Sequence, residues 1–315
     1  MSAANKIARK AIRLANRIVD VSVLISIMSL VVVGSYAMWD SKQVYQTADT
    51  KRYEIYKPTA EASGGSFEEL QEINPEVFAW LTVYGTNIDH PVVQGPDNMK
   101  YVNTNAEGQY SLSGAIFLDN RSSKDFSDFS SIVYGHHMEK SAMFGNIGAF
   151  ADKQYFEARR YGMIYYGGRE HGLEFFSFLQ TDAYNDAIYR AGIEGQEDQQ
   201  AYIELLSQAA LHTRGIRITT DDRIVLLSTC SANSTNGRDI LLGRVTDEIY
   251  ADPFETTETD NGALAFVVDE LSGLWEQAPL WTKSAVIGTP AIVMASLLFL
   301  INDKKKKRRK RNAMI

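Results

Sequence analysis

One cysteine, Cys230, is all the thiol chemistry that 315 residues contain. An internal disulfide is therefore excluded, and Cys230 is a buried apolar filler, an intermolecular bridge or a working nucleophile. Regular internal repeats are absent, which argues against a stacked-repeat architecture. Charge is missing from Val21 to Trp39, nineteen residues that at about 1.5 Å each cross a hydrocarbon core of about 30 Å. No clear A-x-A site closes this run, and it is long for the apolar part of a secretory signal, so it reads as a retained membrane helix rather than a cleaved peptide.

Lys6, Arg9, Lys10, Arg13 and Arg17 precede the apolar run, and positive flanks stay in the cytoplasm, which puts the chain after Trp39 outside. A second span is expected over Ser284–Ile301, followed by Asp303 and eight consecutive basic residues, Lys304–Arg311. Pro290 inside it is tolerable if the freed backbone groups find local partners. The basic block reads as a stop-transfer flank rather than a nucleic-acid arm, because it directly follows an apolar span. Setting aside these thirteen basic residues with Asp20 and Asp303 leaves 19 Lys+Arg against 37 Asp+Glu, a net of −18 on the external part.

Ala60–Ser66 (AEASGGS) reads as a linker, and Ser66 with Glu69 has capping-box spacing for a short helix over Phe67–Glu72 that Asn74-Pro75 stops. From Phe78 the pattern changes to short runs rich in β-branched and aromatic residues, at 78–83, 91–94, 114–118, 131–134, 160–166, 173–181, 223–228 and 240–245. Eight such runs predict a barrel or sandwich. Helices are expected at Ala142–Ala151 and Glu197–Leu211. The acidic, threonine-rich stretch Asp252–Asn261 suits a solvated connector, and Leu264–Leu280 leads back to the membrane.

A nucleophilic cysteine needs a basic or cationic neighbour, since an unperturbed thiol is only a few per cent ionised at neutral pH. Of the five histidines, His136 and His137 stand out, because Ser131–Gly135 reads as a buried strand delivering them to a strand end. His90, His171 and His212 have no such setting and read as surface or hydrogen-bonding residues. A metal site at His136-His137 is disfavoured, as neighbours on an extended strand point to opposite faces. Arg238 follows Cys230 by eight residues across Ser231–Gly237 (SANSTNG), a turn-rich run, so a strand, turn and returning strand set the two side by side. A guanidinium there stabilises an oxyanion or holds a carbonyl; Arg244, on the same strand, is its rival.

The strand ending Leu227-Ser228-Thr229-Cys230 with Arg238 after it, preceded by Phe117-Leu118-Asp119, Asp125–Phe129 and Tyr134-Gly135-His136-His137-Met138, closely resembles the class B sortases. Asn74-Pro75-Glu76, Gly85–Asp89 and Pro91–Gln94 are similar too, so the likeness covers roughly Phe67–Ile249. It implies a mainly β fold: a sortase-like eight-stranded β-barrel with inserted and N-terminal helices, flanked here by two transmembrane helices. It also implies an extracellular cysteine transpeptidase of Gram-positive bacteria with Cys230 as nucleophile, His136 as the histidine after the Tyr-Gly pair, Arg238 as the arginine, and Ser228 and Thr229 shaping the substrate pocket. No cofactor is implied. The implied partners are surface proteins or pilins bearing a sorting signal, and an acceptor amine from a peptidoglycan precursor or a pilin lysine.

The expected organisation is a cytoplasmic basic segment (1–20), a membrane helix (21–39), an extracellular linker (40–65), the catalytic domain (66–250), an acidic connector with a membrane-proximal helix (251–283), a second membrane helix (284–301) and a cytoplasmic basic tail (302–315). A C-terminal span with a basic tail is unusual for class B and resembles pilus-assembling class C enzymes. No Asp-Pro-aromatic lid element precedes the barrel, however, and Asp252-Pro253-Phe254, which follows it, reads as a linker turn. Two other functions fit the residues: a membrane-anchored cysteine peptidase using water as acceptor, and a non-enzymatic surface scaffold.

Overall fold

The computed structural model describes residues 3–48, 50–58, 65–231 and 235–254. The expected second span, the basic tail, most of the acidic connector, the linker at 60–64 and part of the turn after Cys230 lie outside these residues, as does the whole unit from Glu255 onward.

Helix α1 (Ala3–Thr47) contains the predicted span, and its section Ile12–Trp39 is long and apolar enough to cross a membrane, with its side chains unburied by the rest of the chain. Two short 3-10 turns follow. Helix α2 (Gly65–Ile73) encloses the predicted entry helix, and Leu70 and Phe67 from it pack against Trp80 and Tyr101.

All eight predicted strands are present, as β1 (Val77–Val83), β2 (Asp89–Val93), β3 (Ile116–Leu118), β4 (Ser130–Tyr134), β5 (Tyr161–Tyr166), β6 (Arg169–Asp182), β8 (Arg223–Cys230) and β9 (Gly237–Thr246). They run in the order β5-β1-β2-β3-β4-β8-β9-β6, and β6 pairs back onto β5, which closes the barrel. A ninth short strand, β7 (Ala210–Thr213), adds to the free edge of β6 beyond a bulge near Ser177. The β2–β3 and β4–β8 pairs are parallel, and the others are antiparallel.

Strand β8 explains why Ile224–Leu227 is apolar without alternation: both of its faces are covered. Val225 and Leu227 point into the barrel core with Leu81, Phe144, Phe175 and Leu241. Ile224 and Leu226 point outward, under Tyr202 and Leu206 of helix α4 (Gln196–Ala209). That helix matches the predicted insertion ahead of the cysteine strand. It starts after Gly195, whose φ of 85° suits glycine, and Glu197 and Asp198 in its first turn complement the helix dipole.

The helix expected over Ala142–Ala151 does not form. The segment instead makes 3-10 turns at Glu139–Ser141 and Ile147–Ala151, and helix α3 (Lys153–Ala158) follows, capped by Asp152 accepting from the Tyr155 amide at 2.8 Å. Ser141 and Met143 take positive φ values of 59° and 50°. Gly145 lies so near the Met138 carbonyl that a Cβ would come within 2.1 Å of it, so the chain folds back on itself where a helix would run straight.

The turn at Asp252-Pro253-Phe254 packs on the barrel. Tyr250 stacks on Tyr161 at 4.0 Å, the Phe254 ring fills the space above Gly85, and the Arg159 guanidinium lies between the Tyr155 and Phe254 rings at 3.7 and 5.0 Å.

Candidate active site

Strands β8 and β9 form the hairpin expected from the Cys230–Arg238 spacing, and the two residues are direct cross-strand partners at its turn end. Cys230 is unpaired and exposed there. Arg238 is half-buried, donates from Nη1 to the Gly237 carbonyl at 3.0 Å, and among the described residues forms no ion pair. Its rival Arg244 pairs instead with Ile224, six residues down the strand, and is bound to Glu174 at 2.6 Å. Separation along the strand and a committed carboxylate remove Arg244 from the neighbourhood of the thiol.

The parallel pairing of β4 with β8 supplies the histidine. Tyr134 is level with Ser228, and the ladder continues one residue further through the Gly135 amide to the Ser228 carbonyl at 3.2 Å. His136 is two residues past Tyr134, as Cys230 is two past Ser228. The imidazole is half-buried, with Nε2 2.8 Å from the Val102 carbonyl. A carbonyl only accepts, so in this contact Nε2 is the donor. His137 takes a bridge to Met143 and leaves that row.

Ser228 and Thr229 are both buried, on opposite faces of β8. The Ser228 hydroxyl, on the face shared with Cys230, pairs with the Tyr189 hydroxyl at 3.0 Å. Thr229 faces inward opposite Asp239, and its hydroxyl has no hydrogen-bond partner among the described residues. Ser228 thus lies beneath the thiol on its own face of the sheet, whereas Thr229 backs that strand from the core side.

Tyr189 and Tyr134, which the sequence reading left without a role, complete the site. Their rings stack at 6.3 Å, and burial pushes both phenols above their ordinary range, with the Asp119 carboxylate adding to the effect at Tyr134. The hydrogen bond between the Tyr189 hydroxyl and Ser228, two residues before Cys230, puts Tyr189 beside that end of β8. It lies in the aperiodic stretch between β6 and α4, where no local pattern marks it. Two of the remaining histidines are not on the surface. His90 and His171 are buried, His171 stacked on Tyr166 at 4.0 Å, because the barrel closes over both strands that carry them. His212 is a hydrogen-bonding residue, 2.7 Å from the Ala151 carbonyl.

No family model matches the chain. A crystal structure of sortase B from the type II pilus of Streptococcus pneumoniae is 48% identical, its whole length matched by 58% of this chain, with a TM-score of 0.52. A class B sortase of Streptococcus pyogenes involved in pilus biogenesis is 36% identical over 58% of this chain and 98% of that one, with a TM-score of 0.53. Sortase B of Listeria monocytogenes is 29% identical over 181 residues, 56% of this chain and 72% of that protein.

Proposed function

The chain belongs to the class B sortases, a family of transpeptidases, and from that premise we propose that Cys230, His136 and Arg238 are its reacting set. The Cys230 thiolate attacks a backbone carbonyl of a sorting signal near the C-terminus of a surface protein. Arg238 stabilises the tetrahedral oxyanion, and His136 protonates the departing amine as the C–N bond breaks, leaving a thioester on Cys230. An acceptor amine then attacks the thioester and gives its proton to His136, and Cys230 leaves as thiolate while the new amide forms. Ser228, with Tyr189, shapes the floor on which the peptide lies, and Thr229 supports it from the core side of β8.

The observation that carries this reading is register: Cys230 and Arg238 are cross-strand partners, and His136 emerges at the same level from the neighbouring parallel strand. Helix α1 supports a membrane anchor. The basic flanks of both apolar runs favour a two-pass arrangement with the barrel outside and both termini in the cytoplasm. The acceptor is an amine of cell-wall peptide or a pilin lysine; the pilus sortases among its relatives favour the second.

The test is product analysis with the full-length protein in detergent, given a sorting-signal peptide and a lysine- or glycine-bearing amine. Ligated peptide is expected. Hydrolysis alone at saturating amine would move the assignment to a peptidase, and no product of either kind, with a Cys230→Ala protein keeping full biological activity, would leave only a scaffold.

A further inference from the structure

Asp119 is fully buried at the end of β3, and one carboxylate there collects five donors. Arg121 grips it through Nε and Nη2, both at 2.8 Å, and through its backbone amide at 2.9 Å. The Asn98 side-chain amide donates to it at 2.9 Å and the Tyr134 hydroxyl at 3.0 Å. A buried carboxylate is costly unless its lone pairs are satisfied, and this one is saturated.

The two partners other than Arg121 have a common destination. Tyr134 is the last residue of β4, two before His136. Asn98 opens the short stretch that leads through the 3-10 turn Lys100–Val102 to the carbonyl on which the His136 ring rests. Asn98 is itself fixed at its other end by accepting from the Asn120 amide at 2.8 Å. Asp119 therefore anchors both the strand that carries the imidazole and the segment that holds its Nε2–H. Through the Tyr134–Tyr189 stack and the Tyr189–Ser228 hydrogen bond it also reaches the strand of Cys230.

Resting on the site reading above, we infer that Asp119 is a positioning residue of the transpeptidation, fixing the His136 imidazole against Cys230 by tethering Tyr134 and the Asn98–Val102 segment together. It touches no reacting atom. Its effect falls on the chemical steps, in which the imidazole must meet a developing charge, and not on peptide capture.

The test compares full-length wild type with Asp119→Asn, Tyr134→Phe and the double variant, with kcat counted per folded molecule, taken from the amplitude of the cooperative thermal melt, so that unfolded molecules drop out. Misplacing a catalytic group by about 1 Å costs as much as a hundredfold. Asp119→Asn is expected to lower kcat roughly tenfold or more with KM within about threefold. Tyr134→Phe should fall the same way by less, and the double variant should be no worse than Asp119→Asn, since both break one tether. Wild-type kcat per folded molecule in Asp119→Asn, a change in KM alone, or additive losses in the double variant would each overturn the inference. If Asp119→Asn fails to fold, Tyr134→Phe decides alone, and an unchanged kcat refutes the tether. An inactive Cys230→Ala beside an unaffected Asp119→Asn rejects this inference only; an active Cys230→Ala removes the site reading and the inference with it.

Discussion

Two arginines six residues apart on β9 separate catalysis from stability. Arg244 donates from Nε at 2.9 Å and Nη2 at 2.6 Å to the almost buried Glu174, which also holds Arg160 at 2.7 Å. Hydrogen bonds to charged groups contribute about 1.5–3 kcal/mol each where buried. The Arg244 side chain keeps 28% of its exposure and Glu174 retains Arg160, so the loss for Arg244→Ala is nearer about 2 kcal/mol in all. For a domain of this size that lowers Tm by about 4–8 °C. Among the described residues Arg238 makes one bond, to its neighbour's carbonyl, so Arg238→Ala should change stability by less than about 0.5 kcal/mol. Loss of an oxyanion donor, by contrast, costs roughly a hundredfold to a thousandfold in rate. Calorimetry paired with single-turnover thioester formation at 25 °C reads both quantities. Arg238→Ala retaining near-wild-type turnover, or a folded Arg244→Ala losing it, would refute the assignment of Arg238.

Gly85 has φ of +74°, and a Cβ there would lie 2.6 Å from the Phe254 ring, so Gly85→Ala should destabilise by about 1–3 kcal/mol and loosen the packing of Phe254, read by thermal melting. Thr229→Val replaces a buried hydroxyl that has no partner among the described residues, and denaturant titration should show a gain of about 1 kcal/mol; a loss would mean that the hydroxyl is bonded in solution. Burial pushes the Asp119 and Glu174 carboxyls up, but Arg121 in the one case, and Arg160 with Arg244 in the other, outweigh it and hold both below their ordinary range. Groups lowered in the folded state bind fewer protons there than when unfolded. Their stabilisation is therefore complete above the ordinary carboxylate range and is lost as pH falls through it toward the folded values. Acid titration by circular dichroism should show this loss beginning below about pH 5, with a shallower slope in Asp119→Asn.

Several features were legible because the forces behind them are local. Short β-branched runs between Gly, Asn and Asp marked all eight barrel strands, and the turn-rich spacer between Cys230 and Arg238 predicted the hairpin that makes them partners. Nineteen uncharged residues marked the span within α1. Ala142–Ala151 was misread because its composition permits a helix, whereas the contact between Gly145 and the Met138 carbonyl turns the chain back. The choice between Arg238 and Arg244 needed the position of Glu174, seventy residues away.

The sequence by itself determined the strand inventory, the helix fit to cross a membrane and the solitary thiol, because hydrophobic period, turn chemistry and residue counts act over a few neighbouring residues. Only the tertiary structure decided what surrounds that thiol. The Val102 carbonyl on His136, the Tyr189 hydroxyl on Ser228 and the Asp119 carboxylate on Tyr134 join residues 34, 39 and 15 positions apart. Barrel closure sets such meetings through the register of strands distant in the chain, and no local preference encodes them.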